Sequence, residues 1–445
     1  MVFSEYAEGF VNQFIFNNMS GHILQRTFLV LLTMIIVGKS NAQNQPNYST
    51  FSVTSEKIDL APYLLESPNR VVPDFRIMNG VNQQILVGFQ HKDNAIILRL
   101  NEEGKRIGNP VELVDYWLCA MYPMPDESLV VLASKDHDND YITNYPNTLY
   151  FLRISPEGKI STTNRIFGGE GHGSEKSWFD GRVKDAQIAF NGDHFGIYFE
   201  VQKNWAKPGE EADIHNGDMF VQTDLSGNII PETEHFWTAS HSSTLQLTAM
   251  PNQEFCTMTI ADAYPYGLQV FNRNTNENFV AWPPKEDWIT YENCQSSNAA
   301  GLLKYMDTKE GYHIAILGTL DHPNLAWDTK VDPLFLKMDL QGNIVQKKYL
   351  TVTPETGEST ISVTPLGNNY LIAFGEGNVY ENDWKPGTFS LCIVDPNGDF
   401  IVEPTPVMHA FNTDSNLIPV SEKEFIWCTG NNGSQELELH KIIFE

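Results

Sequence analysis

Residues 334–350, "LFLKMDLQGNIVQKKYL", read as a strand, a reversal at Gln341 and Gly342, and a second strand. Gly342 supplies the positive φ that so tight a reversal needs, and Asp339 and Asn343 supply side chains that bond a turn's own backbone. Nearly the same phrase recurs along the chain. It is "AIILRLNEEGKRIGNPVEL" at 95–113, "LYFLRISPEGKISTTNRIF" at 149–167, "MFVQTDLSGNIIPETEHF" at 219–236 and "FSLCIVDPNGDFIVEPTPV" at 389–407, with turn glycines Gly104, Gly158, Gly227 and Gly398. A degenerate copy, "GLQVFNRNTNENFVAW" at 267–282, carries asparagines in place of the glycine turn.

A second strand pair precedes each unit. Its later member is an apolar run, such as "QQILVGFQ", "SLVVLASK", "HFGIYFEV" or "NYLIAFGE". Seven such runs occur, one in each period of four strands, whereas helical periodicity is absent after residue 42. Four strands per repeat, repeated seven times, predict an all-β, seven-bladed β-propeller occupying residues 43–445 as one domain. The last blade, built on "EFIWCTGN", runs out of chain before its outer strand. Residues 48–60, "YSTFSVTSEKIDL", have strand character and no blade of their own, so they are expected to close the ring and remove its open edges. The unit "ILVGFQHKDNAIILRLNEEGKRI" resembles the delta-60 repeat of secreted bacterial β-propellers, a strand pair ending in a short glycine turn. That resemblance implies the fold and brings no catalytic residues with it.

The composition bounds the partners. A formal net charge of −27 repels nucleic acid and anionic lipid, and no basic block interrupts it. Residues 1–42 read as an upstream extension and a signal peptide. Arg26 precedes the apolar run "FLVLLTMIIVG", and Ser40 and Ala42 have the spacing of a cleavage site after Ala42. The run is too short to span a bilayer comfortably, so a secreted or periplasmic chain with no membrane span is expected. Five cysteines are too few and too scattered for a disulfide framework, and no Cys/His spacing suits zinc. A monomer is expected.

Short turns join the first to the second and the third to the fourth strand of each period, while the other connections are long. Long loops projecting from one face of a rigid scaffold are where binding or catalysis is usually placed. Six of the nine tryptophans fall there: Trp178, Trp205, Trp282, Trp288, Trp327 and Trp384, two of them in the related phrases "NWAKPG" and "NDWKPG". They are the candidate ligand-binding residues, since aromatic faces stack on sugar rings and anchor interfaces. The bland alternative is that each plugs its loop against the next blade. Histidines share the bias, so His172, His215 and His241 are acid–base candidates, with Asp218, Asp262 and Tyr264 nearby. The phrase "DHDNDY" sets Asp136, Asp138 and Asp140 at alternate positions, as a calcium loop does, but Tyr141 and Asn147 stand where that loop needs Gly and Glu. No cofactor is expected, and calcium is a weak alternative.

Three functions compete on these residues. The first is a binding module for an extracellular glycan or surface protein. The second is a polysaccharide lyase or hydrolase using the loop His, Asp and Tyr residues. The third is a structural scaffold of the envelope.

Overall fold

The structure, a computed structural model, describes residues 48, 50–66, 75–135, 147–168, 177–179, 186–206, 210–211, 213–240, 242–261, 267–275, 277–282, 303–309, 311–319, 332–351, 358–376, 383–384, 387–412 and 416–445. Seven antiparallel sheets, each with four strand positions, follow one another along the chain, and the described residues contain no helix. Blades 1 to 6 span 75–113, 117–167, 177–240, 242–282, 303–349 and 358–407. Blade 7 consists of Ile418–Pro419, Glu424–Gly430 and Glu436–Phe444, completed on its outside by Phe51–Asp59. That N-terminal strand pairs without a break from Phe51 opposite Phe444 to Asp59 opposite Glu436. The expected seven-bladed propeller and its closing strand are both present, and all these strands belong to one compact unit, Ser49–Glu445.

The apolar runs are continuous because the second strand of each blade is covered on both faces. In blade 2, Leu129, Val131 and Ala133 pack toward blade 1, while Val130 and Leu132 pack toward blade 3. Similar layers fill the seams between blades 4 and 5, 5 and 6, and 7 and 1. Cys119, Cys256, Cys392 and Cys428 are buried within these layers, and burial pushes the Cys256 thiol up to about 12.

The recurring phrase has two physical causes. Asp339 Oδ1 accepts hydrogen bonds from the amides of Gln341 (3.0 Å) and Asn343 (2.8 Å), and Asp224 and Asp395 do the same in their turns. The Asn343 side chain and these amides hold the Asp339 carboxyl below its ordinary range. Gly342 has φ +86°, and a Cβ on it would collide with the ring of Phe279 from the preceding blade. The glycine therefore serves the turn and the blade-to-blade contact together.

Blade 3 departs from the pattern. Its second and third strands, Phe195–Asn204 and Ile214–Thr223, are each ten residues long. The inner position beside them is filled by two pieces, Ala186–Phe190 against the first half and Ser177–Phe179 against the second. The sheet thus extends farther toward the long connections. The polar stretch 202–217 is strand at both ends, 202–204 and 214–217, so the connection itself is 205–213.

Candidate functional site

The raised end of blade 3 gathers aromatic and charged side chains. Lys203 and His215 face each other across the strand pair. Immediately beyond, the Trp205 amide donates to the Asp213 carbonyl at 2.8 Å. Asn204 Oδ1 accepts from the amides of Ala206 (3.0 Å) and Asp213 (3.1 Å), which pins both ends of the connection. His215 Nε2 lies 2.8 Å from Asp213 Oδ1. Trp205 stands on this neck with 48% of its surface exposed.

Trp205 is propped from below. Its ring meets Trp237 at 5.7 Å and 80°, and Trp237 in turn lies 5.8 Å from Phe236, itself 39% exposed. The Lys203 ammonium sits 3.7 Å from the centre of the Trp205 ring and 5.6 Å from that of Phe236. The backbone bends to achieve this. Gly217 pairs with Ser240 and Met219 with Phe236, so three residues, 237 to 239, bulge opposite Asp218 alone. Trp237 adopts φ +58°, a conformation costing about 1–2 kcal/mol for a residue with a side chain. Its indole lies so close to Gly217 that a Cβ there would come within 2.5 Å. A bulge, a left-handed tryptophan and a glycine all serve to hold one exposed indole.

Asp218 fastens the bulge from the opposite face of the sheet. Fully buried, it accepts from the Ala239 amide (2.7 Å), Thr238 Oγ1 (2.5 Å) and the Tyr198 hydroxyl (2.6 Å), and Arg273 Nη2 from blade 4 lies 3.3 Å away. Arg273 also donates to Thr257 Oγ1 (2.6 Å) and Thr238 Oγ1 (3.0 Å), with its guanidinium 4.6 Å from the Phe271 ring centre. His235 Nε2 donates to the Arg273 carbonyl at 3.1 Å. Burial, and then the Asp218 charge, push the Tyr198 hydroxyl well above its ordinary range. A carboxylate sealed among four donors holds structure. Asp218, read from sequence as an acid–base candidate, ties the bulge of blade 3 to Arg273 of blade 4.

A second polar cluster lies on the closing strand. Ser55 Oγ is 2.7 Å from His440 Nδ1 and 3.1 Å from His409 Nδ1, and His440 Nε2 is 2.7 Å from Thr429 Oγ1. His440 stacks on Trp427 at 4.6 Å. Burial, with a smaller contribution from His409, lowers the His440 pKa to about 4. Neutral at ordinary pH, this imidazole ties the N-terminal strand to blade 7.

Of the four described tryptophans placed in loops by sequence, Trp178, Trp205, Trp282 and Trp384, Trp205 alone lies outside a strand. Trp178 belongs to the strand Ser177–Phe179, opposite Gln202. Trp282 ends Glu277–Trp282, opposite Leu268. Trp384 pairs with Phe411 in a two-stranded ribbon. Three-residue pieces of strand have too little periodicity to be seen in sequence. Trp288, Trp327, His172, His241, Asp262, Tyr264, Asp136, Asp138 and Asp140 lie outside the described residues, as does the expected cleavage site at Ala42. Sequence reading missed Lys203, Asp213 and Gly217, and placed Trp237 in a strand without a role. The phrase "QKNWAKPG" held the available signal, a lysine two residues before the exposed indole.

No protein-family model and no curated protein matches the chain. Several solved structures are similar to the chain at low identity. A streptogramin B lyase structure has a TM-score of 0.46 and 11% identity, covering 90% of this chain and 100% of that one. A structure of the Dos1 propeller has 0.45 and 11%, covering 81% and 74%. A protein of unknown function from Dyadobacter fermentans has 0.41 and 8%, covering 88% and 99%. None of these likenesses carries an activity or a ligand to this chain.

Proposed function

We propose that this propeller is an exported binding module that recognises an extracellular glycan through the aromatic platform of blade 3. The observation that carries the reading is Trp205. Nearly half its surface is exposed, on a neck that hydrogen bonds and a strained neighbour hold rigid. Exposing an indole is costly, and building a bulge beneath it costs more, so a role for that surface is the economical explanation. Flat, rigid aromatic faces lose little entropy on binding and match the apolar face of a sugar ring. Export through residues 1–42 belongs to the same reading. A glycan array probed with the purified chain tests it, alongside a Trp205→Ala, Trp384→Ala double variant. Binding to at least one glycan class should fall by roughly 30-fold or more in the double variant, as for an anchor worth about 2 kcal/mol. Unchanged binding in a folded double variant would remove these aromatics from the site.

A further inference from the structure

We propose that the glycan taken by the blade 3 platform is acidic, with Lys203 pairing a sugar carboxylate beside the face of Trp205. The inference rests on the platform reading and adds the ligand's chemical class. Its basis is the placement of this lysine over two aromatic rings, one of them the exposed indole. The chain has 29 Lys and Arg against 56 Asp and Glu, and some of its surface cations pair with carboxylates. Lys57, Lys135, Arg153 and Lys348 each have one within 4 Å. Lys203 has none among the described residues and rests instead on two aromatic rings. Asp213, an acid on the same neck, is paired with His215.

A ring face satisfies an ammonium in one direction only, and a lysine brings three donors. The group best suited to the others is an anion, and a carboxylate on a ring stacked at Trp205 lies within that reach. The charge of −27 opposes this at long range. At about 0.15 M salt the Debye length is about 8 Å, so the distant acidic surface is largely screened while a contact pair at Lys203 persists. The local cation therefore decides the class, and the overall charge slows the encounter.

The test measures binding of polygalacturonate, alginate and hyaluronan, each against its carboxyl-reduced form, at physiological salt. Neutral glycans are run in parallel. Expected is binding of at least one acidic polymer with at least about tenfold loss on carboxyl reduction, a similar loss in Lys203→Met, and retention in Lys203→Arg. Methionine keeps much of the aliphatic stem over the indole, so a lysine acting only as a lid would leave Lys203→Met unchanged or improve its binding, which overturns the inference. Binding of neutral glycans alone overturns it too and leaves the platform reading standing. Binding of no glycan, neutral or acidic, overturns both.

Discussion

Gly342 and Gly311 have almost the same backbone, φ +86° and +83°, yet only Gly342 faces another blade. Alanine at either position incurs left-handed strain of about 1–2 kcal/mol. Alanine at Gly342 also drives a methyl into the Phe279 ring, and overpacking of that kind adds about 1–3 kcal/mol. At Gly311 nothing lies within 4 Å of the added carbon. Entropy removed from the unfolded chain favours both variants by similar amounts and cancels in the comparison. Gly342→Ala should therefore be the less stable variant by about 1–3 kcal/mol. With a urea slope of about 3 kcal/mol/M, its midpoint should lie roughly 0.3–1 M below that of Gly311→Ala at equal slope. Phe279→Ala in the Gly342→Ala background should recover part of the overpacking cost, because the two sites touch. Coincident midpoints would refute the claim that the turn glycines are selected by blade-to-blade contact as well as by turn geometry.

Asp218→Asn leaves Arg273 buried beside a neutral amide and should cost about 3–5 kcal/mol in urea unfolding, with Asp218→Asn and Arg273→Met together costing less than their sum. His440, whose pKa burial and His409 lower from the ordinary 6.5 to about 4, favours the folded state only while neutral. Its contribution is complete above pH 6.5, declines as pH falls and is lost through about pH 4, amounting to roughly 3 kcal/mol. Thermal melts of His440→Gln should flatten in that window relative to wild type, and parallel profiles would contradict the assignment. On the export reading proposed above, N-terminal sequencing of the mature protein should begin at Gln43, and an intact Met1 would refute the cleavage.

The architecture was legible because it repeats. Asp339–Gly342–Asn343 and its relatives write a local rule, the self-bonded glycine turn, and seven copies of the flanking strands leave one consistent count. The closing strand was legible as an excess at one end matching a deficit at the other. The site was less so. "IHNGD" at 214–218 reads as loop because its residues are polar, yet it is strand, and Asp218 is satisfied by Tyr198, Thr238, Ala239 and Arg273 from elsewhere in blade 3 and from blade 4. Ser55 and His440 are 385 positions apart and meet only because the ring closes. Trp237 looked like an ordinary strand tryptophan, and its strain comes from a bulge that no local pattern announces. What sequence did show was that Trp205 stands on a long connection, and the structure keeps it there with its indole exposed.

The most direct measurement is calorimetric titration of the best-bound polysaccharide into wild type, Trp205→Phe and Trp205→Ala, each checked for an unchanged urea midpoint. Expected is a graded loss, slight for Phe and roughly 30-fold or more for Ala, as aromatic stacking area is first reduced and then removed. Equal affinity of wild type and Trp205→Ala would place the binding surface elsewhere on the propeller.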